Sequence, residues 1–478
     1  MARRPNICLI LTDDHAAHAV GTYGSVVNST PRIDEIAQRG WRLDNLFCTN
    51  SICTPSRASI LTGQHSHTNG VRTLSTPMDR ELPTFVSQLK DAGYRTAIVG
   101  KWHLGEGEEH RPRAFDHWMI LRDQGEYHDP TFRTPDGLRT VTGYATDVIT
   151  DLALQWLDDL DYGPDGTDSP WCLLIHHKAP HRSWEPDEAH RAQFAGRPIP
   201  VPATFTDDYA TRSGAAHRAA MRVADQLTRR DLKADPPAGL SYEDEALWKY
   251  QRYMEDYLAC VASVDDNVGR VIDRLAERGE LDDTLLMYTS DQGFFLGDHG
   301  WFDKRFMYDE SIRMPFVVSC PTALDGGRST DQIVTNVDLA RTILEAADVE
   351  PHPGMQGESF WGTLARGETP PADQSFYYRY WEHDDGAHHA AGHYGIRTER
   401  YKLIYFYNDG LGLPGTGWAT YAPEWELYDL EADPDELVNV ADDPTYAVVR
   451  RDLTERLARE QAAAGDVPYA DPGPVPAR

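Results

Sequence analysis

Residues 6–15 read NICLILTDDH. A short, almost wholly apolar run ends abruptly in two aspartates and a histidine. Such a run predicts a β-strand buried on both faces, as in a parallel sheet covered by helices. Three more stretches share the pattern: TAIVG (96–100), WCLLIH (171–176) and TLLMYTS (284–290). Each ends in polar residues: Lys101-Trp102-His103, then His176-His177-Lys178 followed by Ala-Pro-His181, then Asp291-Gln292-Gly293. Helical patterns lie between them at 82–94, 144–160 and 242–279, the last expected to break once and to stop at Gly279. Strand–helix alternation predicts an α/β fold with a mixed, mostly parallel sheet. In such sheets ligands bind beyond the carboxyl ends of the strands, so four distant segments aim acids, lysines and histidines at one place.

The remaining chain is organised around that frame. Residues 185–241 are rich in proline and charge and are expected to form a surface excursion within a larger domain of residues 1–365. Short aromatic runs with turn signals at 376–440 predict antiparallel strands, followed by a helix at 446–463 and a proline-rich tail. They define a smaller C-terminal α+β domain of residues 366–478.

Bulk properties narrow the function. The chain has 478 residues and 40% hydrophobic content, which supports a substantial core. A formal net charge of -30 repels nucleic acid and anionic lipid, so neither is expected as a partner. The six cysteines show no zinc-type or disulfide-framework spacing. The apolar run behind Met1 is too short for a secretory signal and no run approaches transmembrane length, so a cytoplasmic location is expected.

Asp13, Asp14, Asp291 and Gln292 are all oxygen donors. Taken singly, Asp13-Asp14 could cap a helix and Asp291 could open a turn. Together at strand ends, three carboxylates call for a cation between them, and oxygen ligation favours Ca²⁺ or Mg²⁺. Lys101 and His103 share one face of an extended segment. The stretch SICTPSRASILTGQ (51–64) places Cys53 and Arg57 four residues apart, on one face of a helix whose N-terminus attracts anions. A thiolate is a poor ligand for a hard cation, so something richer in oxygen would fit better at position 53.

The Cys53-Thr54-Pro55-Ser56-Arg57 motif resembles the signature of the type I sulfatases. GKWHLG (100–105), KAPH (178–181), SDQG (290–293), GDHGWFDKRFMYDESIRMPF (297–316) and WELYDLEADPDELVN (425–439) are similar to further family blocks in the same order. The resemblance covers nearly the whole chain. It implies an alkaline-phosphatase-like α/β sandwich with a small C-terminal α+β domain. It also implies conversion of Cys53 to formylglycine by a formylglycine-generating enzyme, the hydrate supplying one oxygen to the metal and another for attack on sulfur. By the same resemblance Asp13, Asp14, Asp291 and Gln292 bind Ca²⁺, with Mg²⁺ as the alternative. The family often has Asn or His where Gln292 stands. Arg57 holds the hydrate, Lys101 and Lys304 clamp sulfate, His181 and Lys304 assist the leaving alcohol, and His103 removes the proton that releases sulfate.

HHKAPHRSW, DQGEYHDP and DQGFFLGDHGWFDKRFMY look most like the branch holding N-acetylglucosamine-6-sulfatases and bacterial polysaccharide sulfatases. That implies a sulfated sugar as substrate, with 6-O-sulfate the leading position. A small sugar is expected rather than a polymer, because the net charge repels a long polyanion. Arg182 and Trp184 beside His181, and His389 and His393 in the loop EHDDGAHHAAGHYGIR (382–397), are the candidate substrate contacts; packed or solvated side chains are the alternative for each. Rival activities are aryl or choline sulfate hydrolysis, phosphate or phosphonate monoester hydrolysis on the same fold, and noncatalytic binding of sulfated sugars.

Overall fold

The computed structural model describes residues 4–160 and 169–470. The four apolar runs form strands β1 (Asn6–Thr12), β2 (Arg95–Gly100), β3 (Trp171–His176) and β4 (Thr284–Ser290). They lie side by side and parallel in the order β4-β1-β3-β2, at the centre of an eleven-stranded sheet. His117–Leu121 continues the parallel run past β2, while Phe316–Ser319 pairs antiparallel with β4. The sheet is mixed, as expected.

Alternation along β1 explains why it reads as continuously apolar. Ile7, Leu9 and Leu11 face one core layer, shared with Ala58, Ile60 and Leu61 of helix α1 (Cys53–Thr62). Cys8 and Ile10 face the opposite layer, shared with Leu258, Val261 and Val264 of helix α2 (Tyr242–Glu277). Both faces are covered, so the five positions between Asn6 and Thr12 are all apolar.

Helix α2 runs through 36 residues without the expected break. Its apolar face continues from Tyr250 to Leu275, and Ser241 caps it through the Asp244 N–H at 3.1 Å. Gly269 is a notch rather than a hinge: Arg32 lies where a side chain would stand and donates to the Gly269 carbonyl at 3.2 Å. Residues 185–241 are also more packed than their proline and charge content suggests. Short helices at Glu188–Phe194 and Val223–Gln226 lie against α2, and Phe194, Met221, Val223 and Leu232 are buried. Isolated apolar residues between prolines carry no periodicity, so sequence pattern alone misses this packing.

A four-stranded antiparallel sheet follows, in the order Ser375–Tyr380, His393–Thr398, Tyr401–Phe406, Glu424–Asp429. The helix Ala447–Ala463 packs on it. The proline-rich tail extends into 471–478, which lies outside the described residues. No helix among the described residues is long and apolar enough to cross a membrane.

Register delivers the polar residues to one edge. Gly100 pairs with His176, His176 with Leu11, and Thr12 with Ser290. The next residues continue the ladder: Lys101 N–H donates to the His176 carbonyl at 2.7 Å, His177 N–H to Leu11 at 2.8 Å, and Asp291 N–H to Thr12 at 3.1 Å. Gly100 makes this exit possible. Its φ is +111°, and a Cβ there would lie 1.9 Å from the His176 carbonyl oxygen. Gly100→Ala is therefore expected to destabilise the protein by about 2 kcal/mol or more, the cost of a strained φ plus a displaced strand end. Urea denaturation measures it, and a midpoint equal to that of the parent would contradict this account of the strand end.

Candidate active site

Helix α1 opens at Cys53, with Ile52 extended before it and every residue from Cys53 to Thr62 buried. It is anchored at its mouth. Ser56 Oγ donates to the Asp291 carbonyl and accepts from Asn336 Nδ2 at 2.9 Å. Arg57 Nε donates to Asp291 Oδ2 at 2.9 Å, and its Nη1 to the Lys101 carbonyl at 3.2 Å. The helix thereby presses its first residue against the strand ends.

Carboxylate oxygens of Asp13, Asp14 and Asp291 lie within 4.8 Å of one another, all fully buried. Cations surround them. Lys101 Nζ bonds Asp13 Oδ2, and Arg57 Nη2 stands 3.7 Å from the same oxygen. Lys304 Nζ holds Asp14 at 2.7 and 2.8 Å, with His181 Nε2 at 3.8 Å from Asp14 Oδ2. Cys53 Sγ lies 3.2 Å from Asp13 Oδ1. Asp14 and His103 adopt φ of +68° and +56°, left-handed conformations that cost energy outside glycine and cluster at working sites.

Burial acts on all three acids, but their partners differ. Lys101, with Arg57 and Lys304, overcomes burial at Asp13 and holds its carboxyl well below the usual range. Burial pushes Asp14 up to about 6 despite Lys304, and burial with the nearby Asp13 charge pushes Asp291 up to about 7. Asp291, and to a lesser degree Asp14, thus hold their protons to higher pH than an ordinary carboxyl, because burial disfavours the charged form more than the neighbouring cations favour it. Gln292 Nε2 reaches Asp14 Oδ1 at 2.5 Å, while its Oε1 is buried without a partner. Turning that amide over would face oxygen to the cluster. Three clustered carboxylates and an orphaned amide oxygen fit a hard divalent cation such as Ca²⁺ or Mg²⁺.

The histidines are poised as neutral groups. Lys101 donates to Gln124 Oε1, which fixes the amide so that Gln124 Nε2 faces His103 Nε2 at 3.1 Å. His103 Nε2 therefore carries a lone pair. Burial and the Lys101 charge lower its pKa well below the ordinary value. His181 Nδ1 donates to the Arg182 carbonyl at 2.6 Å, and burial with Lys101 and Lys304 keeps this ring neutral too. Lys304 is the reverse: burial favours its neutral form, but Asp14 holds the ammonium well above its usual pKa.

Asp13, Asp14, Cys53, Arg57, Lys101, His103, His181, Asp291, Gln292 and Lys304 therefore meet in one place. The candidate substrate contacts divide. Arg182 lines a cavity beside His181 and is held by Asp231 at 2.7 and 2.8 Å. Trp184 is corrected: it is 0% exposed and packs on Tyr253 with ring centres 4.5 Å apart. His393 is corrected too, since it sits within the second sheet between Tyr378 and Phe406, at 5.5 and 5.0 Å. Both are buried by apolar neighbours contributed from elsewhere in the chain. His389 is half-exposed and pairs with Asp384 at 2.8 Å.

Sequence reasoning missed Gln124 and His388. Gln124 lies just past the strand His117–Leu121, where strand-end position was the available signal. His388 Nε2 stands 3.4 Å from Asp303, next to Lys304, and Arg305 reaches Glu382 at 3.3 Å. The histidine-rich loop thus meets the site through a different histidine from those expected.

A family model described as Sulfatase matches residues 5–349, and one described as the C-terminal region of N-sulphoglucosamine sulphohydrolase matches residues 297–463. An N-acetylglucosamine-6-O-sulfatase of Bacteroides thetaiotaomicron is 40% identical over 505 residues, covering 96% of this chain and 86% of the relative. A human N-acetylglucosamine-6-sulfatase is 29% identical, covering 72% of this chain and 61% of the relative. A solved structure described as a complex with its substrate D-glucosamine-2-N,6-O-disulfate superposes with a TM-score of 0.86 and 39% identity, covering 97% of this chain and 98% of that one. The phosphonate monoester hydrolase of Agrobacterium radiobacter shares the fold, with a TM-score of 0.74 at 22% identity and coverage of 99% and 100%.

The raised carboxyls give a pH test. A carboxyl whose folded pKa lies above its unfolded value near 4 keeps a proton that the unfolded chain has released, so stability falls as pH rises through about 6 and 7. Asp13, held low, does not titrate in that window. The melting temperature of chelator-treated protein should fall between pH 5 and 8, and added Ca²⁺ should raise it more at pH 8 than at pH 5. An equal cation-induced shift at both pH values would contradict raised carboxyls at Asp14 and Asp291.

Proposed function

The chain belongs to the sulfatase family, and on that premise we propose that it hydrolyses the 6-O-sulfate of a small amino sugar, using formylglycine at position 53 and a bound Ca²⁺. One observation carries the reading: Cys53, at the buried mouth of a helix, faces a cluster of carboxylates. A helix N-terminus ordinarily lowers a thiol pKa. Here burial, with Asp13 beside it, pushes the Cys53 thiol up instead. An unmodified thiol in this place would be protonated and inert, whereas an oxygen-bearing residue suits the donors around it.

Asp13, Asp14, Asp291 and Gln292 would hold the cation; bound there it would offset their charge and polarise oxygens, while formylglycine would supply the attacking oxygen. The chain's own groups perform the remaining work. Arg57, fixed by Asp291, and Lys101, fixed by Asp13 and Gln124, present positive charge to the sulfate oxygens. Lys304 keeps its proton and lies on the Asp14 side with His181, so it can donate to the departing sugar oxygen. His103, neutral with its lone pair on Nε2, is suited to take up the proton whose removal frees the sulfate. The preference for an amino-sugar 6-sulfate is supported by the two N-acetylglucosamine-6-sulfatase relatives and the disulfated glucosamine in the similar structure.

Mass spectrometry of the peptide carrying Cys53, from protein made with a maturation enzyme, should show the aldehyde or its hydrate. A wholly thiol peptide in fully active enzyme would overturn this. Lys304→Ala should cost turnover of N-acetylglucosamine 6-sulfate about 10²-fold or more, within the range of general acid catalysis, and nitrophenyl sulfate at least tenfold less, because a phenol departs unaided. Equal losses would leave Lys304 as a sulfate clamp. Faster hydrolysis of nitrophenyl phosphate than of nitrophenyl sulfate would favour the phosphoesterase reading.

A further inference from the structure

Beside His181 lies a cavity of about 640 Å³, within the range of sugar-sized binding sites. Gln124 and His181 form its inner wall, and Tyr127, Lys178, Arg182 and Arg230 also line it. His181 and Lys304 face the departing alcohol, so the sugar must extend this way. A separate cavity of about 480 Å³, bounded by Met78, Trp102 and Arg113, contains none of the reacting groups.

Lys178 is unusual on that wall. Its side chain is nine-tenths buried, with a relative exposure of 5%. Its ammonium stands 4.8 Å from the centre of the Tyr127 ring, and the Tyr127 hydroxyl is turned away to donate to the His181 carbonyl at 2.6 Å. Among the described residues the ammonium has neither a hydrogen bond nor an ion pair. The other buried charge here, Asp231, is neutralised by Arg182. Glu126 and Glu185 also line the cavity, Glu126 exposed and Glu185 half-buried, and neither pairs with Lys178. Arg230 adds an exposed cation at the rim. The ammonium meets the cavity with no protein anion at bonding distance, so a ligand anion placed there gains a charge-assisted contact that no protein group supplies. Burial together with Lys101 lowers the Lys178 pKa to about 8, against the opposing pull of Asp13 and Glu185.

Resting on the proposed sugar-sulfate reading, we propose that Lys178 forms a second anion subsite, which takes a sulfate or carboxylate carried by the sugar in addition to the ester that is cut. The reacting sulfate occupies the Arg57–Lys101–Lys304 cage, and the second anion meets the Lys178 ammonium across the cavity. The enzyme therefore selects doubly anionic sugars.

Two measurements test this. In the first, kcat/KM is compared for D-glucosamine-2-N,6-O-disulfate and N-acetylglucosamine 6-sulfate. The wild type should prefer the disulfate, and Lys178→Met should lower the ratio of the two values tenfold or more, mainly through KM for the disulfate. An unchanged ratio, or a wild type without the preference, overturns the proposal. In the second, calorimetry compares binding of N-sulfoglucosamine and N-acetylglucosamine, neither of which carries the reacting ester, to the wild type. Tighter binding of N-sulfoglucosamine by tenfold or more, retained when inorganic sulfate fills the reacting cage, supports the subsite, and equal affinities refute it even where Lys178→Met does not fold. Failure to hydrolyse either 6-sulfate would refute the functional reading instead, while the calorimetric comparison still judges Lys178.

Discussion

The rest of the structure depends on holding three buried carboxylates together at the ends of parallel strands. Asp13, Asp14 and Asp291 are each fully enclosed, and charges in that setting repel strongly. The protein brings Lys101, Arg57 and Lys304 against them from three other segments. Each of those cations is itself positioned by the acid it neutralises, so sheet register, the Cys53 helix and the segment around Lys304 are mutually dependent. Gly100 is one sign of that dependence, since β2 can leave the sheet toward Asp13 only through a conformation closed to other residues.

The same arrangement reconciles an overall charge of -30 with an anionic substrate. Positive groups are few but concentrated where the strands end, within walls of low polarity that strengthen their field. The buried acids orient the cations and keep them in place, and a divalent cation, if bound between the acids, would take up part of their negative charge. The long-range potential of the surface is thus opposed to that of the site.

The second sheet participates through structure rather than by supplying the reacting groups. Glu382, Asp385 and His388 hold Arg305 and Asp303, the neighbours of Lys304, while Lys402 meets Asp309 and Glu436 at 2.6 Å each. These buried pairs tie the C-terminal sheet to the segment that carries Lys304. The loop reads in sequence as a set of histidines available for ligand, yet His393 is spent on aromatic packing and His388 on an ion pair with Asp303.

The sequence by itself determined the four central strands, because strands buried on both faces must be continuously apolar, and it determined the polar residues that end them. It also determined the Cys53–Arg57 motif, whose members lie within one helical turn. Tertiary structure decided everything that depends on distant partners. Whether Trp184 meets solvent rests on Tyr253, Phe294 and Phe302, whose places follow from the fold. What fills the notch at Gly269 on the long helix is Arg32, more than two hundred residues earlier. Gln124 bridges Lys101 and His103 only because its strand end lies beside theirs, and Lys178 meets the Tyr127 ring only because the strand end before Tyr127 lies near its own. Periodicity reports which face a residue occupies; which group waits on the other side is settled by packing between segments that the sequence keeps far apart.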